Sequence, residues 1–305
     1  MMRRLGYERL PTERPNSAAR AVDLMSALEI VRVMNREDRR PAEAVRRVLP
    51  ALARGVDVIV SALRGGGRLF FVGAGTSGRL GVLEAAECPP TFGTPSRMVQ
   101  AIMAGGRAAV FRSQEGAEDD ARAGRHLVGR RIRAGDVVVG ISASGMTVFV
   151  RAILLAARRA GARTVLVSCS PRASRGLADV VIAPAPGPEV VAGSTRLKAG
   201  TATKLVLNTL TTASMVRLGK VYGNRMIDLQ PRSRKLRARA VRLVEEIAGV
   251  SRGRARHALA AAGGRARLAI VIAHTGQSPR AAQAALRRYG GNLRGLLAAA
   301  PRQHH

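Results

Sequence analysis

Five short apolar runs, each ending in Gly, Ser or Pro, alternate with helix-like stretches through the middle of the chain. Runs of this length, rich in Val, Ile and Phe, are typical of parallel strands buried on both faces. They are RLFFVGAG (68–75), MVQAIMAG (98–105), DVVVGISAS (136–144), RTVLVSCS (163–170) and ADVVIAP (178–184). Helical spacing between them, clearest in 147–162 and also around 80–87 and 115–129, predicts an α/β fold with a three-layer, doubly wound parallel sheet.

Helical patterns flank this predicted sheet on both sides. The segment before it predicts two helices, with Pro41 near the start of the second and Gly65 to Gly67 after its end. After Tyr222 three Arg-rich stretches, each closed by or near Gly, predict a small C-terminal helical bundle. We therefore expect an N-terminal helical segment (1–58), a sheet domain (59–222) and a helical bundle (223–305).

The chain is strongly basic. Its 305 residues include 51 Lys and Arg against 20 Asp and Glu, a formal charge of +31, and from Pro231 onward there are 16 basic and two acidic residues. Such a field attracts phosphates, whether of nucleic acid or of a small substrate. The sequence has no paired Cys and His for a zinc finger and no aromatic-rich strand for base stacking. A solvated basic face is favoured over specific nucleic-acid binding.

Cysteine content and hydropathy indicate the compartment. Cys88 and Cys169 are too few for a disulfide framework and have no metal-ligand spacing. No run of 18 apolar residues occurs, and the basic N-terminal residues are not followed by a continuous apolar stretch. We expect a soluble, cytoplasmic protein without a membrane partner.

A glycine-rich turn, GAGTSGR, follows the first predicted strand and precedes a helix. Backbone N–H groups and the hydroxyls of Thr76 and Ser77, next to Gly78, point outward from such a helix N-terminus and favour an anion. The glycines also fit the dinucleotide fingerprint, but MVQAIMAGG has no acidic residue at its strand end to bind a ribose. A phosphate or sugar cradle is therefore favoured over a dehydrogenase.

A second loop of the same kind follows the third strand. Three hydroxyl residues and a glycine precede the next helix. Because two loops of this kind follow neighbouring β-α units, together they indicate a phosphate site. The residues are Ser142, Ser144, Gly145 and Thr147.

The two loops, with GPEVVAGSTRLKAGTATKLVLN (187–208), resemble a sugar isomerase (SIS) domain, which has a flavodoxin-like sheet. The stretches GTSGRLGVLEAAECPPTFG and EGAED narrow the resemblance to the N-acetylmuramic acid 6-phosphate etherases, from about Leu10 to near Leu297. The resemblance implies a homodimer that cleaves the D-lactyl ether of a phosphorylated amino sugar in cell-wall recycling, without metal or cofactor.

The resemblance also assigns roles to residues. Glu87 corresponds to the proton donor and Glu118 to the base. In a helix over 79–87, Leu80, Leu83 and Glu87 share one face, which predicts that Glu87 lies off the solvated side. Phosphate-binding positions are Ser77, Ser142, Ser144 and Thr147; further sugar contacts fall on Glu189, Ser194 and Lys198, although Ser194 and Thr195 could instead cap a helix from about Arg196.

Three residues depart from the family pattern. Where the family usually has Arg, Pro and Tyr, this chain has Met146, Val148 and Phe149, so a cation is missing beside the second loop. This departure and the high charge leave open a non-catalytic alternative, a regulatory SIS protein that senses a sugar phosphate. Glu87 and Glu118 both lie in intact motifs, which favours the enzyme. The small-residue helix predicted over 198–216 is the expected dimer contact.

Overall fold

A five-stranded parallel sheet forms the centre of the first of two compact units in the computed structural model, which describes residues 10–171, 176–228 and 234–300. Its strands are β1 (Leu69–Gly73), β2 (Val99–Met103), β3 (Val137–Ile141), β4 (Arg163–Val167) and β5 (Val180–Ile182). The strand order is β2-β1-β3-β4-β5 and every pairing is parallel. This is the flavodoxin-like order, so the predicted fold class and all five predicted strands are confirmed.

Eight helices accompany this sheet among the described residues. They are α1 (Ala27–Glu37), α2 (Arg40–Arg46), α3 (Leu49–Arg64), α4 (Gly75–Phe92), α5 (Ala108–Phe111), α6 (Ala121–Arg131), α7 (Val148–Arg159) and α8 (Lys198–Arg217). Two helices were expected before β1, and the structure has three. The reason is that Pro41 and Pro50 each occupy the first turn of a helix, a position where proline starts a helix because its missing N–H is not needed.

Helices cover both faces of the sheet, as three layers require. Phe70 of β1, with Val138 and Leu166 of the neighbouring strands, packs against the buried side of α7. On the other face, a Cβ added to Gly81 of α4 would lie 2.9 Å from Phe71 Cβ. The residues of β1 and β3 are all buried, which explains why these strands are apolar at every position.

The second unit consists of Glu87–Pro95 and the chain from Met215 onward. A two-stranded hairpin, β6 (Val221–Tyr222) and β7 (Arg225–Met226), precedes five helices. These are α9 (Arg234–Ala248), α10 (Arg252–Ala261), α11 (Ala266–Thr275), α12 (Pro279–Arg288) and α13 (Leu293–Ala299). Their buried Ala, Leu, Ile and Val side chains form one hydrophobic core. The predicted C-terminal bundle is thus present, with two helices more than the sequence indicated.

The three sequence-based domain boundaries stay a prediction. Within the described ranges, none of the helices is both long enough and apolar enough to cross a membrane.

Candidate active site

The first glycine-rich loop connects β1 to α4 at the carboxyl edge of the sheet. Gly75 has φ +52°, in the left-handed region that glycine adopts without strain. A Cβ on Gly78 would lie 2.8 Å from Gly73 O, so the backbone needs glycine there to cross this closely. As a result α4 begins at Gly75, and Thr76 and Ser77 lie in its first turn, where backbone N–H groups have no acceptor within the helix.

The second loop connects β3 to α7 and is ordered by its own hydroxyls. Ser142 Oγ and Thr147 Oγ1 are 2.9 Å apart and share a hydrogen bond. Met146 N donates to Ser144 Oγ over 3.1 Å, and Gly145 turns the chain with φ +72°. The three hydroxyls therefore converge on one short turn before the helix begins at Val148.

These two loops lie at the switch point of the sheet. β1 and β3 are neighbours, but their following helices, α4 and α7, cover opposite faces of the sheet. In open α/β sheets this is the position at which ligands bind. The sequence predicted that each loop lies between a strand and a helix, and the structure confirms this for both loops.

The start of α8 completes this region. A Cβ on Gly200 would lie 3.8 Å from Thr76 Cγ2, next to the first loop. Cys169, which follows β4, donates its backbone N–H to Ala143 O in the second loop over 2.9 Å, and its Sγ lies 3.8 Å from Ala199 O. Burial, with a smaller contribution from Glu189, raises the pKa of the Cys169 thiol to about 12, so it is neutral at physiological pH.

Glu189 and Lys198 are held by contacts within the protein. Glu189 is fully buried and accepts hydrogen bonds from Lys198 N and Ala199 N at 2.9 and 2.8 Å, which caps α8. Burial, the largest effect, raises the pKa of Glu189 despite these bonds. Glu189, rather than Ser194 or Thr195, therefore receives these two N–H groups, and the helix begins at Lys198 instead of about Arg196.

The Lys198 ammonium lies 1% exposed and pairs with Glu37 of α1. Asn16 and Arg40 bind the same Glu37 carboxylate at 2.8 and 2.9 Å. Burial by itself would raise the pKa of Glu37, but the hydrogen bonds from Lys198 and Asn16 and the nearby positive charges together lower it. This buried network ties the N-terminal segment to the start of α8.

Glu118 lies at the first loop. It is exposed in a short 3-10 turn, Ala117–Asp119, and lines a cavity of about 140 Å³ together with Gly75 and Arg79. A carboxylate in this position faces the end of β1, where the predicted phosphate cradle lies. The structure thus brings together Glu118 and Gly75 of the first loop, which are 43 positions apart in the sequence.

Glu87 lies on α4 and is exposed, as is Leu83 at 43% of its surface. We expected the helix face that carries Leu83 and Glu87 to be shielded from solvent, and in the single chain this expectation was wrong. The buried acid of α4 is Glu84, 8% exposed, which accepts a hydrogen bond from Thr211 Oγ1 at 2.7 Å. The helix continues beyond the predicted range, 79–87, through Pro89 and Pro90 to Phe92.

Two arginines were not assigned by sequence reasoning. Arg79 donates to Ala109 O and Val110 O at 2.9 and 2.8 Å, which holds α5 beside the Glu118 cavity. Arg151, one turn into α7, donates to Gly145 O at 3.3 Å and lies 4.0 Å from Met146 Sδ. A cation therefore lies beside the second loop although the usual Arg is absent at position 146. In the sequence, the only sign of this cation is that Arg151 follows Gly145 by six positions.

Comparison with known proteins places these motifs in a family context. Residues 51–158 match the model of the glucokinase regulatory protein N-terminal SIS domain. The N-acetylmuramic acid 6-phosphate etherase of Synechocystis sp. is 48% identical over 96% of each chain, and that of Symbiobacterium thermophilum is 53% identical over 86% of this chain and 88% of its own. A phosphoheptose isomerase structure from Neisseria gonorrhoeae is 18% identical with a TM-score of 0.48, covering 62% of this chain and 99% of that one.

Proposed function

We propose that the two hydroxyl-rich loops of this chain, which belongs to the N-acetylmuramic acid 6-phosphate etherase family, bind the sugar phosphate while Glu118 and Glu87 carry the proton transfers. The activity is cleavage of the D-lactyl ether, which gives N-acetylglucosamine 6-phosphate and D-lactate in amino sugar recycling. The observation that carries it is the 48% identity to an etherase over 96% of both chains.

The chemistry needs one base and one acid. In the opened sugar the C2 proton is adjacent to the aldehyde, so the Glu118 carboxylate removes it and an enolate forms. The enolate expels the lactyl oxygen from C3, Glu87 protonates that oxygen, and D-lactate leaves. Water then adds across the C2–C3 double bond: its oxygen binds C3 as a hydroxyl, Glu87 takes back a proton from it, and Glu118 returns its proton to C2. The proposal for Glu118 is supported by its position in the cavity beside Gly75 and Arg79.

Phosphate binding is proposed for the first turn of α4 and the second loop. Thr76, Ser77 and Gly78 supply N–H groups and hydroxyls at a helix N-terminus, where negative charge is favoured. Ser142, Ser144 and Thr147 supply three more hydroxyls around Gly145, and Arg151 adds a charge beside them. Contacts of the sugar with Glu189, Ser194 and Lys198 belong to the same proposal, supported by the approach of α8 to Thr76.

A homodimer in the cytoplasm completes the proposal. The helix α8 carries small residues and an exposed Leu205, and Leu83 of α4 is also exposed, as expected of a helix contact between two copies. Cys88 and Cys169 are buried thiols, the state that a reducing compartment maintains.

Release of D-lactate from N-acetylmuramic acid 6-phosphate by the purified protein tests the activity. The non-catalytic SIS sensor is the second candidate, because the family model that matches residues 51–158 describes a regulatory protein. The etherase identity extends far beyond that segment, which favours the enzyme. Phosphosugar binding without any lactate release would support the sensor instead.

A further inference from the structure

A cavity of about 590 Å³ lies in the second unit, lined by the β6–β7 hairpin, α9 and the first residue of α10. Five of its side chains are cationic: Arg225, Lys235, Arg239, Arg242 and Arg252. Two acids, Glu245 and Glu246, also line it, together with the apolar side chains of Met226 and Leu243. We call this concave region the α9 cavity; its volume is in the range of sites for small ligands.

The acids neutralise only part of this charge. Glu246 accepts from Arg225 at 2.7 Å and from Arg242 at 2.9 Å, so two of the five cations share one carboxylate. Among the residues that the structure describes, Lys235, Arg239 and Arg252 have no salt-bridge partner. Five cations against the two carboxylates, Glu245 and Glu246, leave the lining of the cavity with a net charge of +3.

Helix geometry makes this arrangement unfavourable in the absence of an anion. Lys235 and Arg239 are four residues apart on α9, and Arg239 and Arg242 are three apart, so like charges are neighbours on one side of the helix. Arg252 adds a further charge from another helix. Arg234, Arg237 and Arg256 lie on the same two helices and are exposed like the cavity cations, but they do not line the cavity.

We propose that the α9 cavity binds a small polyphosphate-bearing compound. The guanidinium groups of Arg239 and Arg252 suit phosphate oxygens, to which arginine donates in pairs, and Lys235 adds a point charge. The apolar walls at Met226 and Leu243 suit the uncharged part of an organic phosphate. A nucleic-acid backbone would instead need cations spread along an open stripe, where affinity follows the number of charges rather than their position. This inference does not depend on the etherase reaction.

Calorimetric titration of the whole protein with inorganic tripolyphosphate, at about 150 mM salt, tests the proposal. The cavity variant is Lys235→Gln/Arg239→Gln/Arg252→Gln. Its matched control, Arg234→Gln/Arg237→Gln/Arg256→Gln, removes the same three charges from the same helices outside the cavity. We expect one saturable site per chain in the wild type, weakened at least about tenfold by the cavity variant and less than about threefold by the control.

Equal weakening in both triple variants, or the lack of a saturable site in the wild type, would overturn the proposal. So would a short DNA duplex that binds the wild type and that tripolyphosphate fails to displace, because the partner would then be a nucleic acid. Thermal unfolding followed by circular dichroism checks that each variant is folded. If the triple cavity variant is unfolded, the single changes Arg239→Gln and Arg237→Gln provide the same comparison.

Discussion

At the level of single residues, the two glutamates of the proposed reaction have different surroundings. Both are exposed, but Glu118 lines the small cavity at the end of β1 with Arg79, whereas Glu87 is on α4 and does not line that cavity. If Glu118 is the base and Glu87 the acid, loss of either residue should affect removal of the C2 proton differently. Hydrogen exchange at C2 separates them, because exchange needs the base and does not need the leaving group.

Glu118→Gln should abolish both lactate release and exchange of the C2 hydrogen with deuterated solvent, because no enolate forms. Glu87→Gln should slow lactate release by roughly 10² to 10⁴ while exchange persists. A substrate without the lactyl group shows in the wild type that the base exchanges its proton with water, and Asp119→Asn, in the same 3-10 turn as Glu118, is the matched control. If C2 exchange persisted in Glu118→Gln and was lost in Glu87→Gln, Glu87 would be the base and Glu118 the acid.

Ser144→Ala should weaken substrate binding about tenfold or more, since a hydrogen bond to a charged group contributes about 1.5–3 kcal/mol. The rate of lactate release from bound substrate should change little, because the phosphate is remote from the bond that breaks. Titration of the phosphosugar measures the first effect and saturating turnover the second. Ser61→Ala, which removes an exposed hydroxyl from α3, is the control. Equal affinity of Ser144→Ala and wild type would show that this loop binds another group.

At the level of elements, the start of α8 depends on a buried ionic network. The Glu189 carboxylate caps the helix, and Lys198 pairs with Glu37 of α1. Because its pKa is lowered from 4.5, the Glu37 carboxylate adds stability above that pH, and this contribution is lost as the pH falls through the lower folded value. The attachment of α1 to α8 should therefore weaken in acid.

Lys198→Met should lower the free energy of unfolding by about 3–5 kcal/mol, because it leaves the Glu37 charge buried without its ammonium partner. The double change Glu37→Gln/Lys198→Met should regain much of this, and urea denaturation measures both. A double variant no more stable than the single would contradict the pairing. If the double variant is stable, its rate of lactate release tests the predicted contact between Lys198 and the sugar. An unchanged Michaelis constant would exclude that contact.

At the level of the whole molecule, we expect two copies to associate through α8. Sedimentation at micromolar concentration should show a dimer, and Leu205→Asp should dissociate it by placing a charge in an apolar contact. Leu155→Asp on α7 is the control, because Leu155 is 44% exposed and Leu205 is 37% exposed. Lactate release should fall with dissociation if each site needs the partner copy. A fully active wild-type monomer would contradict this expectation.

The elements that the sequence predicted best are those with strong local signals. The five strands are short, apolar and closed by glycine, serine or proline, and each was found within its predicted run. Helix α11 was missed because seven of its ten residues are buried, so it has no polar face to produce a helical period. The break between α2 and α3 was also missed, although Pro50 marks it.

The sequence by itself determined the sheet, the two hydroxyl-rich loops that follow its first and third strands, and the family, because these depend on local patterns of strand, glycine and hydroxyl. Only the tertiary structure decided which charged side chains are buried. Glu84 rather than Glu87 is the enclosed acid of α4, and Lys198 meets a carboxylate 161 positions away in the chain. Burial and ion pairing depend on residues that are distant in sequence, and no local pattern encodes which of them will meet.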